Sequence, residues 1–174
     1  MKWVIIAIAV LVGLVALVAV VGILLPKQHV AKRSAKFNQP PQAIWDTITN
    51  FEALPSWRPE VKSVEKQPDR NGHPVWTEVS KMGNMPYEVT VFEPAEKMVT
   101  QIADTTLPFG GSWTYEIQEV AGGSQLTITE EGEIHNPIFR FMAHFIFGYH
   151  ATMESYLKNL GKKFGDEISI SAES

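Results

Sequence analysis

The chain has 174 residues, no cysteine and a formal net charge of −4. Without cysteine it forms no disulfide and offers no thiolate nucleophile or metal ligand. All 19 acidic residues lie beyond position 36 against only ten of the 15 basic ones, so the portion from Phe37 onward carries −9 and is a poor partner for nucleic acid.

Residues 1–3 form a short flank. Residues 4–25 carry no charged side chain and are built almost wholly of Val, Ile, Leu, Ala and Gly. Twenty-two helical residues rise about 33 Å, enough to cross the hydrocarbon core of a bilayer. The run is longer than the apolar core of a cleaved leader, and Pro26-Lys27 follows it instead of a small-x-small cleavage site. The segment 4–25 therefore reads as an uncleaved transmembrane helix with the lipid bilayer as its partner. Lys27, Lys32, Arg33 and Lys36 follow it and Lys2 alone precedes it. The positive-inside tendency then places the domain in the cytoplasm, as expected of a single-pass protein of a bacterial inner membrane.

Residues 26–36 read as a basic linker and the start of a first strand, which spans 29–37 and stops at Gln39-Pro40-Pro41. Residues 41–54 read as two short helical pieces. Pro41 suits a first helical position, and Ala43, Ile44, Ile48 and Phe51 supply the helical period. Asn50 ends the first piece and Pro55 limits the second. From Val61 the pattern changes to a period of two. Strands are expected at 61–65, 75–81, 87–92, 98–103, 111–120 and 125–135, with turns in PDRNG, MGNMP, EPAEK and AGGS. Short turns between successive strands imply an antiparallel meander.

The stretch 137–164, PIFRFMAHFIFGYHATMESYLKNLGKKF, predicts one long helix. Ile138, Phe141, Met142, Phe145, Tyr149, Met153, Tyr156, Leu157, Leu160 and Phe164 recur at three- and four-residue steps, which is one helical face. Such a helix is about 40 Å long. Asn136 can cap it, Pro137 suits its first turn, and Gly165 sits where helices end. Residues 166–174 read as a frayed tail. The helix needs a broad apolar partner, and one face of the meander is that partner.

This order of elements resembles the helix-grip fold of the SRPBCC superfamily, which includes START, polyketide cyclase and birch-pollen-allergen-like domains. The resemblance covers residues 30–165. It rests on PPQAIWDTITNFEALPSWRPEVKSVE near the start and FRFMAHFIFGYHATMESYLKNLGKKF at the end. It implies an α+β domain over 37–165, with a curved antiparallel sheet of about seven strands wrapped around a long C-terminal helix. The family holds lipid carriers, hormone receptors, cyclases and hydratases, so fold alone does not decide chemistry.

Recognisable catalytic signatures are absent: there is no G-x-S-x-G, Walker loop, G-x-G-x-x-G or H-E-x-x-H. No cofactor is expected. Glu131, Glu133 and His135 share one strand face, but a solvated outer face explains them, so no metal site is expected. The alternate face carries Leu126, Ile128, Glu130, Gly132 and Ile134, opposite Trp113, Tyr115 and Ile117. Glu130 is thus an acid in an apolar row, with Gly132 leaving space beside it. A carboxyl there either reaches water at the sheet edge or lines a cavity, and replacing it by leucine should be neutral or stabilising if it is buried and unpaired. The inward row of the strand with Trp76 and Glu78 stays open, since Val75, Thr77 and Val79 fit as well. The resemblance implies that the loops holding Trp57 and Met85 rim a cavity. Candidate ligand-binding residues are therefore Trp57, Met85, Trp113, Tyr115, Glu130, Met142, Phe145 and Tyr149. Glu130 is also the candidate catalytic acid or base, with Glu78 second.

Three functions fit. One is a membrane-anchored module that binds a hydrophobic small molecule or lipid between sheet and helix. The second is a cyclase- or dehydratase-like enzyme using a cavity carboxylate. The third is a filled, ligand-free protein-interaction domain.

Overall fold

The computed structural model describes residues 1–172. Its first element is α1 (Lys2–Leu24), a helix long and apolar enough to cross a membrane by length and composition. Strand β1 (Gln28–Phe37) follows after only three residues, so most of the expected linker is already strand. Helix α2 (Pro41–Thr49) starts on Pro41, and a 3₁₀ turn (Phe51–Ser56) holds the second helical piece. The meander is β2 (Val61–Arg70), β3 (His73–Ser80), β4 (Gly83–Glu93), β5 (Lys97–Ile102), β6 (Phe109–Val120) and β7 (Gly123–Ile134). Then come α3 (Pro137–Met142), a π-helical turn (Ala143–Phe147), α4 (Ala151–Phe164) and β8 (Ile170–Ala172).

The sheet runs β2-β3-β4-β5-β6-β7-β1-β8, and every pairing is antiparallel. It has eight strands where about seven are expected. The extra one comes from the tail, which pairs Arg33 with Ala172 and Ala35 with Ile170 instead of fraying there; Glu173 and Ser174 lie outside the described residues. The PDRNG turn tightens to Asn71-Gly72, both with positive φ (52° and 79°), as two-residue hairpins demand. MGNMP is mostly strand, because Ser80 pairs with Gly83 and only Lys81-Met82 turn.

The largest departure from the sequence pattern is the C-terminal helix, which is broken. Asn136 does cap its start, accepting from the amides of Ile138 at 2.9 Å and Phe139 at 3.2 Å. The chain widens into the π turn and then breaks at Gly148, whose φ of 70° is left-handed and suits glycine. The three- and four-residue spacing runs through the break, so periodicity alone does not reveal it. Beyond it, α4 buries Met153, Tyr156, Leu157 and Leu160 on the concave face of the sheet, against Phe37, Met98, Leu126 and Ile128. Helix α2 adds Ile44, Trp45 and Ile48 to the same core.

Candidate ligand cavity

Alternation decides which side chains of the meander face α4. Tyr115 and Ile117 of β6 sit opposite Ile128 and Leu126 of β7, and all four are buried. Towards the start of β6 and the end of β7 the same rows leave the packed core and enclose a cavity of about 320 Å³. That volume falls at the lower end for sites that hold a small organic molecule. Trp76, Met85, Tyr87, Ile102, Trp113 and Tyr115 make its apolar walls, and Ala143, Gly148 and Tyr149 from the helix break close one side.

Two polar pairs enter this wall. The register sets Glu130 opposite Trp113 on β6, while His29 on β1 pairs with Gly132. Glu130 Oε2 accepts from the Trp113 indole N–H at 2.7 Å, and Oε1 lies 2.9 Å from His29 Nε2. Tyr149 stacks on the His29 ring, with centroids 3.9 Å apart. The space that Gly132 leaves is therefore filled, because a Cβ at position 132 would strike the His29 imidazole. Glu130 is neither unpaired nor fully buried, at 21% side-chain exposure. Its replacement by leucine thus loses the expected neutrality, since it would strand the Trp113 donor.

The second pair is more enclosed. Arg58 Nη1 donates to Glu78 Oε1 at 2.8 Å, with side chains 11% and 9% exposed. Arg58 Nε donates to Glu60, and its guanidinium lies 5.3 Å from the centre of the Tyr156 ring. Burial works against the Arg58 charge, but the Glu78 and Glu60 carboxylates outweigh it and hold the guanidinium more firmly protonated than in water. Burial also pushes the hydroxyls of Tyr87, Tyr115 and Tyr156 upward, keeping them neutral. The open choice on β3 is resolved: Trp76 and Glu78 line the cavity, and Phe51 stacks on Trp76 from outside it at 3.8 Å.

Of the residues named from sequence, Met85, Trp113, Tyr115, Glu130 and Tyr149 lie together on the cavity wall. Trp57, Met142 and Phe145 do not. Trp57 is 7% exposed in the core, edge-on to Tyr156, because the turn after α2 folds inward. The π turn carries Phe145 outward to 57% exposure and leaves Met142 on α3, off the wall. Sequence reasoning missed His29, which reaches the site only because β1 pairs with β7, a non-local contact that no spacing reveals. Arg58, which from sequence reads as a surface arginine or as a partner for an anionic head group, is enclosed with Glu78; its apolar neighbours Leu54 and Trp57 were the available signal. Among the described residues no group of three potential ligands could hold a metal ion.

The family described as polyketide cyclase/dehydrase and lipid transport matches residues 28–165. No curated protein matches the chain. Several solved structures share the fold. A START superfamily protein from Mycobacterium smegmatis is 18% identical with a TM-score of 0.58, covering 78% of this chain and 96% of that one. The Zhui aromatase/cyclase from Streptomyces sp. R1128 is 10% identical with a TM-score of 0.64, covering 78% and 93%. Norcoclaurine synthase from Thalictrum flavum is 10% identical with a TM-score of 0.63, covering 80% and 88%.

Proposed function

The chain belongs to the polyketide cyclase/dehydrase and lipid transport family, and from that premise we propose that it is a membrane-anchored module binding a hydrophobic small molecule between the sheet and α4. The observation that carries this reading is the cavity itself, whose wall is mostly aromatic and aliphatic with hydrogen-bonded polar pairs at two points. Apolar walls supply affinity through burial, and a few placed polar groups orient the ligand. The ligand of this reading is a mostly apolar molecule of modest size with a hydroxyl or carbonyl that meets the Glu130–His29 pair. Helix α1 anchors it across the bilayer, with the basic residues after it on the cytoplasmic side.

The His29–Glu130 contact favours a second reading, a cyclase- or dehydratase-like enzyme. A carboxylate hydrogen-bonded to an imidazole is a proton-transfer pair, and Tyr149 fixes the ring plane. In that case His29 exchanges a proton with a substrate carbon or oxygen and Glu130 balances the charge formed on the ring.

Small-molecule mass spectrometry of the purified chain tests the binding reading, with titration of a polarity-sensitive apolar dye alongside it. An organic ligand released on denaturation, or saturable dye uptake lost when Trp113 and Tyr115 are replaced by alanine, is the expected result. A chain that carries no ligand and takes up no dye overturns it in favour of a filled domain.

A further inference from the structure

The segment Pro137–Phe147 turns five large apolar side chains outward: Ile138, Phe139, Phe145, Ile146 and Phe147, from 39% to 66% exposed. Beyond α1, the other exposed large apolar residues, Val30, Met82 and Phe92, are scattered singly. A concentrated patch of this kind marks a surface that is covered in use. What covers it follows from where it is fixed. Helix α3 packs on the last turns of α1, so closely that a Cβ at Gly22 would strike the Pro137 carbonyl. Arg140, itself buried, donates to the Leu25 carbonyl at 2.9 Å and so satisfies an acceptor left open at the helix end. The outward residues of 138–147 are therefore continuous with the exposed apolar surface of α1. Twenty-three helical residues in α1 rise about 35 Å, slightly more than a hydrocarbon core, which puts the α1–α3 contact at the boundary of that core.

The cavity lies at the same end of the domain. His29 lies just beyond α1, the start of β6 and the end of β7 lie beside it, and Ala143, Gly148 and Tyr149 of the wall belong to the exposed turn or border it. We propose that residues 138–147 seat in the bilayer interface beside α1 and open the cavity mouth to the lipid phase, so that the ligand is a membrane-dissolved amphiphile that passes between bilayer and cavity without crossing water. The ligand part rests on the cavity reading above; the membrane seat does not.

The chain has no cysteine, so single labels can be placed cleanly. Phe147→Cys and, in the β6–β7 turn at the opposite end, Ala121→Cys are labelled with an environment-sensitive fluorophore in the full chain. Both are reconstituted in phosphatidylcholine vesicles with and without spin-labelled lipid. The label at 147 should shift to the blue and be quenched several-fold more than the label at 121. A water-exposed label at 147, or a blue-shifted one that lipid quenchers do not reach because protein covers it, overturns the proposal. A variant with serine at 145, 146 and 147 should slow exchange of a pyrene-labelled fatty acid between its own vesicle bilayer and the cavity at least tenfold, while its binding to the detergent-solubilised chain is unchanged. Unchanged exchange overturns the lipid-facing mouth. A parent chain that binds no probe in detergent overturns the cavity reading alone, and the quenching comparison still decides the membrane seat.

Discussion

The imidazole of His29 occupies the space that a side chain at position 132 would need, and the absence of one there lets it reach Glu130. Gly132→Ala should therefore displace the ring, separate it from Glu130 and unstack it from Tyr149, costing about 1–3 kcal/mol as an overpacked site. His29→Ala in the same chain should recover much of that loss. Unfolding midpoints of the two single variants and the double variant check it; additive effects would show that the contact carries no energy.

Glu130→Gln and Glu130→Leu should differ in stability. Glutamine keeps an acceptor for Trp113, so stability and dye uptake should stay close to the parent. Leucine leaves the indole N–H without its partner, at a cost of about 1–3 kcal/mol. If the chain turns over a substrate, Glu130→Gln should also abolish turnover while sparing binding. Parallel denaturation, dye titration and product analysis separate these outcomes.

Breaking the enclosed Arg58–Glu78 pair from one side should be costly. Arg58→Met strands the Glu78 carboxylate beside the cavity, and such losses run at about 3–5 kcal/mol, whereas Glu78→Leu leaves Arg58 its bond to Glu60 and should cost less. The double variant should lose much less than the sum of the two single losses, because it leaves no unpaired partner. Equilibrium denaturation of all four chains measures the coupling.

Phe145→Ala should shift stability in detergent by no more than about 0.5 kcal/mol, because its ring is on the surface. Leu157→Ala, in a fully buried position on α4, should cost about 2–5 kcal/mol. Similar losses at both positions would show that the helix is continuous and that Phe145 is packed.

Alkali should weaken the fold through the buried tyrosines. Burial holds the Tyr115 and Tyr156 protons to higher pH than usual. An unfolded tyrosine releases its proton near pH ~10. Above that pH the unfolded chain binds fewer protons than the folded one, so stability falls as pH rises. Stability should be flat below this point with respect to these groups, and Tyr156→Phe should lessen the alkaline decline.

The meander was legible because its outward and inward residues alternate and its turns are rich in Gly, Pro, Asn and Asp. The cap at Asn136 and the stop at Gly165 were legible for the same local reason. The break at Gly148 was not. Phe145 and Tyr149 stay in step with Met153 on paper, and only the three-dimensional path shows that the first half turns towards α1. Within the site, Glu130, Trp113 and Tyr115 could be placed together because they lie on neighbouring strands. His29 and Glu130 are separated by 101 positions, and their meeting depends on β1 closing against β7. The same non-local closure conceals the pairing of β8.

Only Leu25, Pro26 and Lys27 separate α1 from β1, a reach of about 10 Å at full stretch, and Arg140 shortens it further by holding α3 to Leu25. With α1 embedded as proposed, the domain would have no slack to leave its membrane or to turn the proposed cavity mouth away. Its encounters are then confined to a plane, where local concentration of a lipid-dissolved molecule is high even if its aqueous concentration is negligible. A domain held this way does not ferry cargo through the cell; delivery elsewhere requires that the acceptor, or a second membrane, come to it.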